Sequence, residues 1–304
     1  MNMATEKSNT RLPSTEETAQ QERFKQLKRT SQSFLQNTLS VVGLLMILIL
    51  VFAATFAPLI APYPDDAGAG VHFDRASQPP SLEHPMGTDT TGRDIFSRVL
   101  FGARLSLMMG VIVLSIAISI GVTLGLIAGY IGGKTNSVIM RITDIFLAIP
   151  PTLLAMAVVA ATGASLFNVM VAIAFSWWSW YARLTQGEVL SIKEEEFIES
   201  SQALGSNWLR TTFKEVLPNV LSPITVKATL DMGFVILVGA GLSFLGLGAQ
   251  PPTPTWGAMI AQGRNYVTTF WWIAVFPGLA ISFAVLGFNF IGDGLRDAFD
   301  VEVN

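Results

Sequence analysis

Few residues of this 304-residue chain could take part in catalysis or hold a metal ion. The chain contains two histidines, His72 and His84, and no cysteine. Neither histidine belongs to an H-E-x-x-H sequence, which would place two zinc-binding imidazoles and a general base on one helix face. The sequence also lacks a G-x-S-x-G nucleophile elbow. We therefore predict no enzymatic activity, no metal site and no cofactor bound by the chain itself.

One glycine-rich segment, AGYIGGKT at residues 128–135, matches a relaxed phosphate-loop pattern. A phosphate loop must connect a buried strand to a helix whose amino end meets the phosphates. Here a long apolar stretch typical of a membrane helix precedes the glycines, so the required context is missing. We predict that this chain has no nucleotide site of its own.

Two charged residues border an apolar run and are four positions apart, Lys227 and Asp231. On a helix this spacing allows the two side chains to pair with each other. Charged residues near the membrane interior also occur along the paths of transported solutes. The sequence leaves both interpretations open: a structural ion pair, or side chains that line a polar path.

The composition is that of a membrane protein, with 51% hydrophobic and only 13% charged residues and a mean hydropathy of +0.50. Several charge-free intervals are long enough for the roughly 20 residues of a membrane-spanning helix. We predict an all-α integral membrane protein with six transmembrane helices, at residues 39–61, 105–129, 139–161, 166–181, 224–248 and 270–292. Tails at 1–38 and 293–304 flank this 39–292 domain, which includes an outer loop at 62–104.

The basic residues predict the orientation, because loops on the cytoplasmic side carry an excess of Lys and Arg. With both termini inside, 5 of the 19 basic residues fall outside, namely Arg75, Arg93, Arg98, Arg104 and Arg264. The tryptophan-rich inner end of the fourth span (Trp177, Trp178, Trp180, Tyr181) and the outer pair Trp271 and Trp272 would then form interfacial belts. We predict an inner-membrane, multi-pass protein. A net charge of -3 argues against nucleic acid as a partner.

Three glycines in the second predicted span, Gly121, Gly125 and Gly129, recur every four residues. They form a smooth stripe against which another helix can pack closely. Tight packing is the simpler interpretation, and a sliding surface in a moving bundle is the alternative.

A cytoplasmic loop at 183–223 is too long to be a simple connection. Its sequence favours a helix over 192–204 and a second helix over 208–217 that ends at Pro218. Gly205 should stop the first helix, and Ser206 or Asn207 should cap the second. The first helix would lie on the cytoplasmic side and carry small side chains on one face. That face could pack against its own bundle or insert in a groove of another protein.

The loop resembles the E-A-A, G and L-P loop of permease subunits in ABC importers. The matching residues are Glu199, Gly205 and the Leu217-Pro218 pair, and serines replace the two alanines. In such permeases the loop is a coupling helix that docks in a cleft of the cytoplasmic ATPase. The resemblance assigns that role to Glu199, Ser200, Ser201, Ala203, Leu204, Gly205 and Trp208.

A segment at 84–107 is similar to the second, C-type permease of dipeptide, oligopeptide and nickel importers. Further matches are LSFLGLG at 242–248, PPTP at 251–254 and GDGLRD at 292–297, so the resemblance covers nearly the whole chain beyond residue 35. We interpret the 84–107 segment as a structural plug at an outer gate, in preference to a surface that contacts substrate. Its key residues are Gly87, Thr88, Asp89, Gly92, Arg93, Asp94 and Arg98. The Pro251–Trp256 segment should form a rigid re-entrant loop that is anchored by an aromatic side chain.

The resemblance implies a type I ABC importer permease fold and a function in the uptake of short peptides. The expected partners are a homologous second permease, two cytoplasmic ATPase subunits that bind ATP and Mg²⁺, an extracytoplasmic solute-binding protein and the lipid bilayer. A nickel complex or glutathione is an alternative solute. A self-sufficient secondary transporter is the rival class, but it should carry deeply placed ionisable groups or inverted repeats.

Overall fold

The computed structural model describes residues 31–300, which are almost entirely helical. Residues 31–36 form a short helix, followed by eleven further α-helices. They are α1 (Thr38–Thr55), α2 (Ala57–Ile60), α3 (Ile95–Ile131), α4 (Gly133–Leu147), α5 (Pro151–Thr162), α6 (Leu166–Ile192), α7 (Glu196–Ala203), α8 (Trp208–Thr211), α9 (Leu217–Phe244), α10 (Trp256–Gly263) and α11 (Trp272–Asp300).

Four helical stretches among residues 31–300 are long and apolar enough to cross a membrane on their own. These are α1, α3, the continuous stretch Trp208–Phe244 and most of α11. The pair α4 and α5 qualifies as a fifth span if the two are counted together. α6 matches the predicted fourth span in position, but Ser, Trp and Tyr lower the hydropathy of its middle. The count of six spans therefore stays a prediction.

The predicted third span, 139–161, is wrong as a single helix. α4 ends at Leu147, α5 begins at Pro151, and the two helix axes differ by 86°. Pro150 and Pro151 explain the break, because neither can donate a backbone N–H and each restricts the residue before it. The apolar run continues unbroken through this point, so hydropathy alone gave no sign of the bend.

The predicted end of a helix at Pro218 is also wrong. A π-helical turn, Thr212–Val216, connects α8 directly to α9, and Pro218 lies in the first turn of α9. Proline is tolerated there because the first N–H groups of a helix need no partner within it. The helix predicted at 192–204 is shorter than expected: residues 193–195 form a turn and α7 starts at Glu196.

The glycine stripe of α3 packs directly against α6, which confirms the prediction of tight packing. A Cβ atom on Gly125 would lie 2.6 Å from Cβ of Thr185, and one on Gly129 would lie 2.7 Å from Cβ of Val189. Such distances are too short for real Cβ contacts, so only glycine permits this approach of the two helices. Small residues drive helix association in membranes for this reason.

The amino-terminal part of the described chain packs on the carboxy-terminal helix. Asn37 caps α1 by accepting from the backbone N–H of Leu39 at 3.0 Å, and its Nδ2 donates to Asp297 at 3.0 Å. Residues 1–30 and 301–304 lie outside the described residues, including most of the predicted 1–38 tail. The predicted 293–304 tail starts inside α11, which continues to Asp300.

The predicted outer loop, 62–104, is shorter than expected because α3 begins at Ile95. Residues 62–94, the long loop from here on, contain two short 3₁₀ turns, Pro64–Ala67 and Phe73–Arg75. Asp94 caps α3 by accepting from the N–H of Ser97 at 2.7 Å, which fixes where this helix starts.

Candidate functional site

α7 stands out from the bundle as a short exposed helix between two long ones. Among its eight residues only Ile198 is buried, and it anchors the helix on the protein's own core. Phe197 is 47% exposed and Leu204, directly after the helix, is 89% exposed. Large apolar side chains at this level of exposure are typical of a surface that another protein covers.

The residues to which the resemblance assigns coupling lie together on and just after this helix. Nearly all of them are exposed, and Ser201 is half-buried: Glu199, Ser200, Ser201, Ala203, Leu204, Gly205 and Trp208. A groove of about 620 Å³ runs beside them, lined in part by Ser200, Leu204 and Arg210. These residues form a continuous surface that a second protein can reach.

The turn after α7 follows the predicted chemistry. Gly205 has a φ of +81°, in the left-handed region that glycine adopts without strain. Asn207, and not Ser206, caps α8 by accepting from the backbone N–H of Leu209 at 3.3 Å. This turn sets the angle between α7 and the long stretch that continues into α9.

Two hydrogen bonds that the sequence did not reveal connect α7 to the bundle. Ser201 donates its hydroxyl to Oε1 of Glu215 at 2.7 Å, and Gln202 donates to the phenolic oxygen of Tyr130 at 3.3 Å. Lys193 donates to the backbone carbonyl of Tyr130 at 2.8 Å. Glu215 lies in the π-helical turn before α9 and Tyr130 in the last turn of α3, so these bonds connect α7 to the ends of two long helices. The serine that departs from the E-A-A pattern therefore has a specific partner.

Lys227 and Asp231 pair as their spacing predicted, with the ammonium 3.1 Å and 3.2 Å from the two carboxylate oxygens. Tyr181 on α6 donates its hydroxyl to the same carboxylate at 2.9 Å. The ammonium also lies 5.6 Å from the ring centres of Trp180 and Tyr181. The sequence gave no indication of Tyr181, because it is 50 positions away from Asp231.

The long loop is organised around the buried carboxylate of Asp89. Its Oδ1 accepts from the N–H of Thr91 at 2.8 Å and from the N–H of Arg93 at 3.0 Å. Its Oδ2 lies 2.8 Å from Nε of Arg93 and 3.8 Å from Nε of Arg98. Burial alone would raise the pKa of Asp89, but Arg93, Thr91 and Arg98 outweigh burial and hold the pKa below its usual value.

The side chains of Arg93, Asp94 and Arg98 pair with other residues, and Arg98 also donates to the carbonyl of Asp66 at 3.1 Å. Arg93 and Arg98 both meet Asp89, whereas Asp94 lies 2.9 Å from Nδ1 of the buried His84. His84 and Asp94 are 10 positions apart. Asp66, which accepts from the N–H of Asp94 at 2.8 Å, is 28 positions away from it. These separations hid the arrangement.

Gly87, Thr88 and Gly92 serve the same structural network. Gly87 and Gly92 have φ values of +74° and +80° and are buried. The hydroxyl of Thr88 donates to the carbonyl of Arg75 at 2.6 Å, and the Thr88 carbonyl accepts from Nε1 of Trp272 at 3.1 Å. The side chains of this segment are used within the protein, which agrees with a structural role.

The predicted tryptophan belts are largely wrong. Trp177, Trp178 and Tyr181 are at most 7% exposed, and only Trp180 of this group faces outward, at 45%. Trp272 is buried on the long loop, while its neighbour Trp271 is 46% exposed. Rings packed against other parts of the protein do not face a lipid–water interface, so only Trp180 and Trp271 remain candidates for the belts.

Trp256 is the aromatic anchor expected after the proline-rich loop. Its side chain is 1% exposed, and Nε1 donates to the carbonyl of Val99 at 3.0 Å. The indole lies over Gly102, where an added Cβ atom would be 2.6 Å from Cδ1 of Trp256. The loop is therefore fixed to the start of α3.

Comparison with known proteins identifies the class to which these features belong. Residues 121–304, more than half of the chain, match the family described as the binding-protein-dependent transport system inner membrane component. Residues 25–80 match the N-terminal TM domain of oligopeptide transport permease C. The chain therefore belongs to this family of multi-pass permease subunits of ABC importers.

Several relatives cover almost the whole chain. A dipeptide transport system permease protein, DppC, of Alkalihalophilus pseudofirmus is 45% identical over 92% of this chain and 88% of its own length. A di/tripeptide transport system permease protein of Pseudomonas aeruginosa is 43% identical over 90% and 91%. A glutathione transport system permease protein, GsiD, of Shigella flexneri is 46% identical over 89% and 88%.

A solved structure supports the fold. A chain of the MetNI methionine ABC transporter in an inward-facing conformation superposes with a TM-score of 0.55 and 19% identity, and the match covers 68% of this chain and 97% of that one. At this identity the likeness concerns the fold alone.

Proposed function

We propose that this chain forms one half of the translocation path of an ATP-driven importer of short peptides. Its relatives transport dipeptides, di- and tripeptides or glutathione according to their names, and all of these solutes are small peptides. A glutathione importer is the second candidate, because GsiD is as similar to this chain as the dipeptide permeases are. The chain supplies its half of the path, and ATP and Mg²⁺ bind to partner ATPase subunits.

The exposure of α7 is the observation that carries the coupling part of this proposal. A helix anchored by one buried residue and two hydrogen bonds, with Phe197 and Leu204 exposed, presents a surface for a cytoplasmic ATPase. Two such permeases would enclose the path, and a binding protein would deliver the solute from the opposite side. ATP would bias one conformation only by interacting more strongly with it than with the other. Both termini would then be cytoplasmic.

Replacing Gly205 with valine tests the coupling surface. A Cβ atom at a φ of +81° costs about 1–2 kcal/mol, so the turn after α7 should shift. In proteoliposomes with the complete importer, we expect Gly205→Val to lower peptide uptake while ATP hydrolysis continues.

Gly163 is a matched control for this substitution. It has a φ of +97° and, like Gly205, an added Cβ atom there would meet nothing within 4 Å. Gly163→Val also places a β-branched side chain at a positive φ, at the end of α5 and not beside α7, and uptake should stay near the wild-type rate. Unchanged uptake in Gly205→Val would count against docking at this turn.

A further inference from the structure

A cavity of about 310 Å³ lies where α5 begins beside α6 and α9. Thr152 of α5, Trp180 of α6 and Lys227, Asp231 and Phe234 of α9 contribute to its wall. The volume is at the lower end of the roughly 300–1,000 Å³ that small-molecule sites occupy. The wall is mainly aromatic and aliphatic, with a single ion pair, which is the usual composition of a site for a small polar solute.

The ion pair on this wall is in the middle of the 37-residue helical stretch Trp208–Phe244. The Lys227 side chain is 28% exposed and the Asp231 side chain is 10% exposed. Charged groups within membrane spans face a protein interior or a water-filled cavity and not the lipid tails. This wall therefore faces the inside of the assembled transporter.

Lys227 has more hydrogen-bonding capacity than its partner uses. An ammonium group has three N–H donors, and Lys227 makes two contacts with carboxylate oxygens, both of Asp231. Asp231 is also held by Tyr181, which fixes the carboxylate and, through it, the ammonium. The remaining donor is available to an anionic group in the cavity.

The amino end of α5 makes the same wall more attractive to a negatively charged group. The break before Pro151 creates a helix amino end at the cavity, and Thr152 lines it. The first N–H groups of a helix have no partner within the helix, and the helix dipole favours negative charge at that end. Lys227 and this helix end therefore act on one anion together.

We propose that this cavity binds the terminal carboxylate of the transported peptide, with Lys227 as the cationic partner. Phe234 and Trp180 would contact the peptide's side chain. The inference rests on the proposed function, because it names the group by which that solute is held within the path. It also predicts a preference for peptides with a free carboxylate.

The test compares two peptides in proteoliposomes that contain the complete importer: a dipeptide with a free carboxy terminus and its amidated form, each saturating the binding protein. Lys227→Met combined with Asp231→Asn removes both charges and keeps side-chain size. We expect this variant to lower uptake of the free-carboxylate peptide about tenfold and to affect the amidated peptide much less, as for the loss of a charged hydrogen bond.

Two further variants make the result decisive. Lys227→Arg keeps the positive charge and should retain the preference, whereas Lys214→Met, at an exposed position of the π-helical turn, should behave as wild type. An unchanged preference in the double variant, or an equal loss for both peptides, overturns the proposal. Absence of ATP-driven uptake by the wild type would instead refute the proposed function.

Discussion

Asp89 is the residue whose removal should damage the long loop most. It is 3% exposed and holds Arg93, Arg98 and the backbone of the turn around Thr91. Asp89→Asn keeps the shape but leaves two buried arginines without their carboxylate, which should cost about 3–5 kcal/mol. We expect a clearly lower melting temperature in detergent, measured by thermal unfolding.

The same carboxylate gives the protein a defined response to acid. The pKa of Asp89 is lower in the folded protein than its ordinary value of 3.8. The carboxylate therefore stabilises the fold above pH 3.8, and this contribution is lost as the pH falls through the folded-state pKa. The difference in melting temperature between wild type and Asp89→Asn should therefore narrow below about pH 4. A difference that stays constant down to pH 3 would show that charge at Asp89 is unimportant.

Sequence reasoning at the residue scale worked where partners are close together in the chain. The Lys227–Asp231 pair and the turn at Gly205 follow from local spacing. Tyr181, Glu215 and Asp66 were missed because their partners lie on other elements, between 14 and 50 positions away. Contacts of this kind depend on how the helices pack, which periodicity alone does not specify.

Among the elements, the contact of α3 with α6 is the most constrained. Gly125→Val should clash with Thr185 and the Ala182 carbonyl, which lie 2.6 Å and 2.7 Å from an added Cβ atom, and overpacking of this kind costs about 1–3 kcal/mol. We expect reduced thermal stability and reduced uptake, measured on purified protein and in proteoliposomes.

Gly187 on α6 provides the control for that substitution. An added Cβ atom there would meet nothing within 4 Å, so Gly187→Val should change the melting temperature little. A stable Gly125→Val variant would mean that α3 and α6 can separate, as the sliding interpretation requires.

Most elements were predictable because hydropathy and glycine spacing report them directly. The bend before Pro151 and the continuation of the helix past Pro218 were not predicted, although both involve proline. In the first case two adjacent prolines stop the helix, and in the second a π-helical turn places the proline at a helix start. Proline indicates that a helix is interrupted or begins, and the neighbouring backbone decides which.

For the whole molecule, the testable claim is that α7 carries the contact with the ATPases. Glu199 is exposed on this helix, so its negative charge is available to a partner surface. Glu199→Lys should weaken association with the ATPase subunits about tenfold, equivalent to about 1.4 kcal/mol, in co-purification or titration experiments.

Asp74→Lys reverses charge at an exposed position of the long loop and is the matched control. It should leave ATPase association at the wild-type level. Wild-type association of Glu199→Lys would remove Glu199 from the contact, while Leu204 and Phe197 could still be tested individually.

The bond between Trp272 and Thr88 joins positions 184 residues apart, and that between Trp256 and Val99 joins positions 157 apart. The ribosome therefore finishes the long loop and the start of α3 well before the indole groups of Trp272 and Trp256 that bond to them have been synthesised. During biogenesis this loop must wait for α11 to be inserted, and nascent chains that end before residue 272 should be more readily cleaved by proteases there than the finished protein.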